Sequence, residues 1–150
     1  MTAEERSDWR WKEGPIGRLI KVGYLALRKE MQDLLKPTGL THSQWSALAI
    51  LRHYPGIASS ELEHILMIER PSVTSLMNGL AKRGLVTRRD DPEDGRYKRL
   101  YLTEAGKQLA DQTRHFAEEV ERKVIAAMGE SDIAALKSLL IRMVESLEKS

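Results

Sequence analysis

The chain has 150 residues, 24 basic and 22 acidic side chains and a formal net charge of +2. That length suits one domain with a sizeable core, and so small a net charge means that any affinity for a polyanion must come from local clustering. No cysteine is present, which excludes disulfides, thiol redox sensing and Cys-ligated zinc. No run approaches membrane-spanning length and the N-terminus lacks the apolar core of a signal peptide, so the expected location is cytoplasmic.

Met1 to Gly14 is polar and reads as an arm whose Trp9 and Trp11 need burial or a partner. Pro15 to Lys36 places Ile16, Leu19, Ile20, Leu27, Met31 and Leu34 near one helical face and stops at Pro37-Thr38-Gly39. Thr41-x-x-Gln44 has the spacing of a capping box, predicting a second helix through about His53 that Tyr54-Pro55-Gly56 closes. Ser59 or Ser60 is expected to cap a third helix ending near Met67, with capping-box spacing at Ser60-x-x-Glu63 and with Leu62, Ile65 and Leu66 facing the next helix.

That next helix, Arg70 to Arg83, carries Val73, Leu76, Met77 and Leu80 as one apolar stripe. Ser72, Thr74, Ser75 and Asn78 form a small polar face that can bond base edges or phosphates and still enter a major groove. An ordinary amphipathic surface helix has the same pattern; the decisive feature is the basic hairpin directly after it. Gly84 suits a left-handed helix end. Leu85 to Arg89 and Lys98 to Leu102 read as two strands, joined by the turn chemistry of Asp90 to Tyr97. Lys82, Arg83, Arg88, Arg89, Arg96, Lys98 and Arg99 cluster here. Arg96 stands where a minor-groove probe would, since the negative potential of that groove attracts guanidinium, and Asp94 is placed to hold it. The order of elements is that of a winged helix-turn-helix, a DNA reader.

Glu104 to Met128 continues as helix, with Leu109, Phe116, Val120 and Val124 at spacings of seven or four. Ile133, Leu136, Leu140, Met143 and Leu147 then step three, four, three, four, a heptad seam. Long apolar stripes at both ends of a small domain call for a partner, and a homodimer supplies one. No catalytic constellation is present: there is no Gly-x-Ser-x-Gly, no phosphate-cradling glycine loop and no His-Glu-x-x-His, so no enzyme activity and no cofactor are expected. His42 and His115 keep a zinc-responsive alternative open, although no metal site is assigned.

Several segments together resemble the MarR family of winged-helix regulators over nearly the whole chain. They are Gly39-Leu40-Thr41-His42-Ser43-Gln44-Trp45, Ser59-Ser60-Glu61-Leu62, Ile68-Glu69-Arg70-Pro71-Ser72-Val73-Thr74, Leu80 to Val86, Asp91-Pro92-Glu93-Asp94-Gly95-Arg96 and Leu102-Thr103-Glu104-Ala105-Gly106. Ile68-Glu69 and the Asp-x-Arg of the wing are similar to the SlyA branch, but Ser75 stands where that branch tends to place an arginine.

The resemblance implies a mainly α fold with a small β-hairpin wing and terminal dimerisation helices. It implies one domain over 1–150, with a DNA-binding lobe at about 40–102 and dimerisation helices at about 15–36 and 104–148. The implied function is a transcription regulator, expected to be a repressor, whose homodimer binds a pseudo-palindromic operator in double-stranded DNA. Arg70, Pro71, Ser72, Thr74, Ser75 and Asn78 would meet the major groove, Asp94 and Arg96 the minor groove, and Lys82, Arg83, Arg88 and Lys98 phosphates. A small aromatic or phenolic effector is also implied, in a crevice near Lys21, Tyr24, Arg28, His42, Trp45 and His53. The alternatives are a metal-responsive regulator and an architectural DNA binder without an effector.

Overall fold

The computed structural model describes residues 10–149. After a 3-10 turn at Trp11–Glu13 the elements are α1 (Ile16–Leu35), a 3-10 turn at Lys36–Thr38, α2 (His42–His53), β1 (Ile57–Ala58), α3 (Ser59–Leu66) and α4 (Arg70–Lys82). Next come β2 (Val86–Asp90), β3 (Lys98–Leu102), α5 (Glu104–Thr113), α6 (Phe116–Met128) and α7 (Glu130–Glu148). The fold is mostly helical with a small antiparallel sheet of order β1-β3-β2, a winged helix. The chain separates into two compact units, Met1–Arg114 and His115–Ser150.

In the first unit, local chemistry sets most boundaries. The Thr41 side chain accepts from the Gln44 amide at 3.1 Å and Gln44 Oε1 accepts from the Thr41 amide at 3.0 Å. This reciprocal box satisfies two amides that would otherwise lack partners at the start of α2. The stripe of α4 is buried at Val73, Met77 and Leu80, joined by Leu35, Leu48, Leu51, Leu62 and Leu100. Each fully buried leucine contributes about 1.5–3 kcal/mol relative to exposure. Gly84 ends the helix with φ 72°, and the Leu85 amide returns to the Leu80 carbonyl at 3.0 Å.

The root of the hairpin is pinned by Leu102-Thr103-Glu104-Ala105-Gly106. Thr103 Oγ1 donates to the Gly84 carbonyl at 2.6 Å and accepts from the Gly106 amide at 3.1 Å, capping α5. A Cβ on Gly106 would lie 2.1 Å from the Leu85 carbonyl oxygen, so only glycine lets α5 start this close to the strand.

Three sequence expectations are corrected. Neither Ser59 nor Ser60 caps α3: the N-cap is Ala58, without a side-chain bond, because β1 leads straight into the helix. Leu62 is fully buried, but Ile65 is exposed. The expected helix from Glu104 to Met128 is broken at Arg114 and His115. Thr113 Oγ1 bonds back to the Leu109 carbonyl at 2.9 Å, and the Thr113 carbonyl is taken by Trp45 Nε1 at 3.2 Å, which draws it away from the helical ladder. Arg83, exposed at the end of α4, donates through Nη1 to the Gly39 carbonyl at 3.1 Å and through Nη2 to the Thr38 carbonyl at 3.0 Å. It ties the end of α4 to the turn before α2.

In the second unit α6 and α7 meet across Gly129, whose φ is 91°. Val120 and Ile133 are buried and Lys137 pairs with Glu121. Of the heptad residues, Leu136, Leu140 and Leu147 are exposed, as are Leu139, Ile141 and Val144. Ile16, Leu19, Ile20, Tyr24, Leu25 and Leu27 of α1 are exposed as well. Trp11 is exposed with Lys12 Nζ 5.7 Å from its ring centroid, whereas Trp9 lies outside the described residues.

Candidate nucleic-acid interface

The polar face of α4 is open. Arg70, Pro71, Ser72, Thr74, Ser75, Asn78 and Lys82 are all exposed while the stripe behind them is buried. Pro71 occupies the first turn, where a missing amide costs no helical bond. Thr74 Oγ1 donates to the Arg70 carbonyl at 3.1 Å.

Between α4 and the hairpin runs a groove of about 370 Å³, lined by Ser59, Arg70, Thr74, Arg88, Arg96 and Lys98 among others. Two candidate residues of α4 and the hairpin meet: Arg88 Nη1 donates to Asn78 Oδ1 at 2.7 Å. This fixes which way the Asn78 amide faces and leaves its NH2 as a donor. Lys98 pairs with Asp90 across the hairpin. Lys82 is exposed at the end of the helix.

Asp94 holds Arg96. Its carboxylate accepts from Arg96 Nε at 3.0 and 3.2 Å, from Nη2 at 2.8 Å and from the Arg96 amide at 3.0 Å. These bonds, from the guanidinium first and the amide second, keep the Asp94 carboxyl below its ordinary range and raise the pKa of Arg96. The Arg96 side chain is nevertheless 86% exposed, a fixed cation presented to solvent.

Tyr97 and Glu63 line the same groove, and sequence reasoning does not find either of them. Tyr97 follows Arg96 directly, and its aromatic character in a basic turn is the available signal. Glu63 reads in the sequence only as the end of a capping box.

The residues expected near an effector divide. Lys21, Tyr24 and Arg28 recur at helical spacing along α1. Arg28 acts electrostatically on His42, whose pKa is lowered, by burial first and by that guanidinium second. The His42 and Trp45 rings lie 5.8 Å apart. Arg28 Nε is buried without a hydrogen-bond partner. His53 does not join them: it lies at the opposite end of α2, roughly 16 Å along the helix, beside Tyr54. Among the described residues no three His, Asp or Glu side chains group to hold a metal, and no helix is long and apolar enough to cross a membrane.

Residues 38–96 match the MarR family. The fold is similar to that of S. aureus MepR in its DNA complex, with TM-score 0.83, 22% identity, and coverage of 89% of this chain and 99% of that one. It is similar to the transcriptional repressor CouR bound to a 23-mer DNA duplex, with TM-score 0.80, 27% identity, and coverage of 87% and 92%. The transcriptional regulator SlyA matches with TM-score 0.80, 23% identity, and coverage of 91% and 96%. The matched segment holds the capping box, the polar helix and Arg96, and the shared fold is that of DNA-binding transcription regulators, not of enzymes. The stretch 38–96 is thus similar to the MarR family, and the described fold is that of winged helix-turn-helix regulators.

Proposed function

We propose that the protein is a dimeric repressor that binds a pseudo-palindromic operator and releases it when a small aromatic or phenolic ligand binds. The observation that carries the DNA-binding part is the groove between α4 and the wing. A bare polar helix face and a fixed cation border the same opening, as a major-groove reader and an adjacent minor-groove probe require. Pro71 to Asn78 enters the major groove, Lys82, Arg88 and Lys98 neutralise phosphates, and Arg96 enters the minor groove. The exposed apolar residues of α1 and α7 are covered by a second copy, which sets two half-sites one helical turn apart, about 10 bp. Selection of duplexes from a random pool tests this. An enriched inverted repeat at that spacing is expected, and a half-site without symmetry contradicts the dimeric reading.

For the effector, Arg28, His42 and Trp45 favour a small aromatic anion over a metal ion. A guanidinium repels a divalent cation but pairs with a carboxylate or phenolate, and the buried Nε of Arg28 has a bond to give. A ligand that prefers the DNA-incompetent geometry lowers duplex affinity by its differential affinity for the two states. A panel of aromatic acids is therefore expected to contain members that raise the melting temperature and weaken duplex binding, both effects failing in Arg28→Met. A response to zinc that His42→Ala or His115→Ala abolishes contradicts the anion reading. No response to either class leaves an effector-free DNA binder as the better account.

A further inference from the structure

The hairpin tip carries a second carboxylate, one that does not line the groove. Asp91 precedes the turn, and its side chain is only 13% exposed. Both of its oxygens are occupied. Oδ1 accepts from the Glu93 amide at 2.8 Å and the Asp94 amide at 3.2 Å, and Oδ2 accepts from Arg99 Nε at 2.9 Å. Arg99 in turn donates through Nη1 to the Gly56 carbonyl at 3.2 Å. Gly56 is a firm anchor, since its own amide donates to the Leu100 carbonyl at 2.9 Å.

An unbroken series of bonds thus runs from the turn after α2, through Arg99 and Asp91, to the backbone of Asp94 and from the Asp94 carboxylate to Arg96. An exposed hairpin tip has little core to fix it, and a surface ion pair alone holds a side chain weakly. The Asp91 carboxylate sets where the Asp94 main chain sits, and therefore where the carboxylate that grips Arg96 sits. We propose that Asp91 and Arg99 are positioning residues for Arg96, which fix the wing in its DNA-reading geometry before DNA arrives. The inference rests on the DNA-reading role of Arg96 proposed above.

Asn at position 91 can keep accepting from the two turn amides through Oδ1, but its NH2 then faces the N–H of Arg99, donor against donor. Asp91→Asn therefore cuts the series at one bond, and Arg99→Met cuts it from the other side. The probe is the duplex that the wild-type protein selects from a random pool, titrated at fixed salt against full-length protein. Arg96→Ala is expected to lose about ten- to a hundredfold in affinity. Asp91→Asn and Arg99→Met should each lose affinity in the wild-type background and almost nothing further in the Arg96→Ala background, because they act through that side chain. Losses that add in full overturn the proposal. So does a salt slope shallower by about one unit for random DNA in Arg99→Met, the mark of a direct phosphate contact.

A second readout needs no DNA. The chain has no cysteine, and a Cβ at Gly95 meets nothing within 4 Å, so Gly95→Cys accepts a single spin label at the wing tip. The label's spectrum is expected to sharpen in both Asp91→Asn and Arg99→Met, and an unchanged spectrum overturns the proposal. If Arg96→Ala leaves duplex affinity intact, the reading of Arg96 fails, while the label still decides whether Asp91 and Arg99 hold the wing.

Discussion

Two kinds of surface on this chain stand open for opposite chemical reasons. The groove between α4 and the wing is open and bordered by the exposed cations Arg70, Arg88, Arg96 and Lys98. The outer faces of α1 and α7 are exposed and apolar, from Ile16, Leu19 and Leu27 on one to Leu136, Leu140 and Leu147 on the other. The first can be satisfied by a polyanion and the second only by another apolar surface. The groove also orders its charges in advance, through Asp94 on Arg96 and Asn78 with Arg88. Under the dimeric reading proposed above, one copy orders its own reading side chains and two copies span a symmetric site.

The largest way to break this contrast is to charge the apolar surface. Leu140→Asp would bury an unpaired carboxylate in the proposed interface, at a cost of several kcal/mol. Dimer and duplex binding are expected to fall together in sedimentation and gel-shift titrations. A variant that still sediments as a stable dimer would show that Leu140 faces elsewhere. Arg96→Ala attacks the other surface: duplex affinity should fall about ten- to a hundredfold with the dimer intact.

Both surfaces are legible in the sequence where the signal is local. The 3-4 spacing of Val73, Leu76, Met77 and Leu80 identifies the buried side of α4 and hence its open side, and Thr41-x-x-Gln44 marks the start of α2. Asp94 and Arg96 are two residues apart, so their pairing can be read from chemistry. What sequence reasoning misses depends on partners far along the chain. Strand β1 is two residues long and exists through pairing with Leu100 and Arg99. Arg83 looks like any basic residue until the fold brings Thr38 and Gly39 to it. Arg99 reads as part of a basic cluster, although its bond to Gly56 spans 43 positions. The helix break at Arg114 carries no glycine or proline, and it falls where Trp45 bonds the Thr113 carbonyl.

The contrast sharpens with salt and with pH. Lys82 is exposed at the end of α4, so Lys82→Ala should weaken binding to selected and random duplexes about equally and flatten the salt slope by about one unit. A loss confined to the selected duplex would give Lys82 a base contact instead. The smallest effect is expected from mild acid. The pKa of Asp94 is lowered in the folded chain by Arg96, and that of Asp91 by the Glu93 amide first and Arg99 second. A depressed carboxyl contributes its stabilisation above its unfolded pKa and loses it only as pH falls through the lower folded value. The affinity ratio between wild type and Arg96→Ala should therefore stay flat from about pH 8 to about pH 5, and a ratio that collapses near pH 6 would implicate a histidine.

In the proposed complex two copies place two polar helices and two wings on one duplex. Hydroxyl-radical footprinting of the selected duplex, with wild type and Arg96→Ala both at saturation, tests it most directly because cleavage proceeds from the minor groove. Symmetric minor-groove protections flanking the two half-sites are expected with wild type, and their loss in Arg96→Ala while the duplex remains bound. A protection pattern that is asymmetric, or identical in the two proteins, would contradict it.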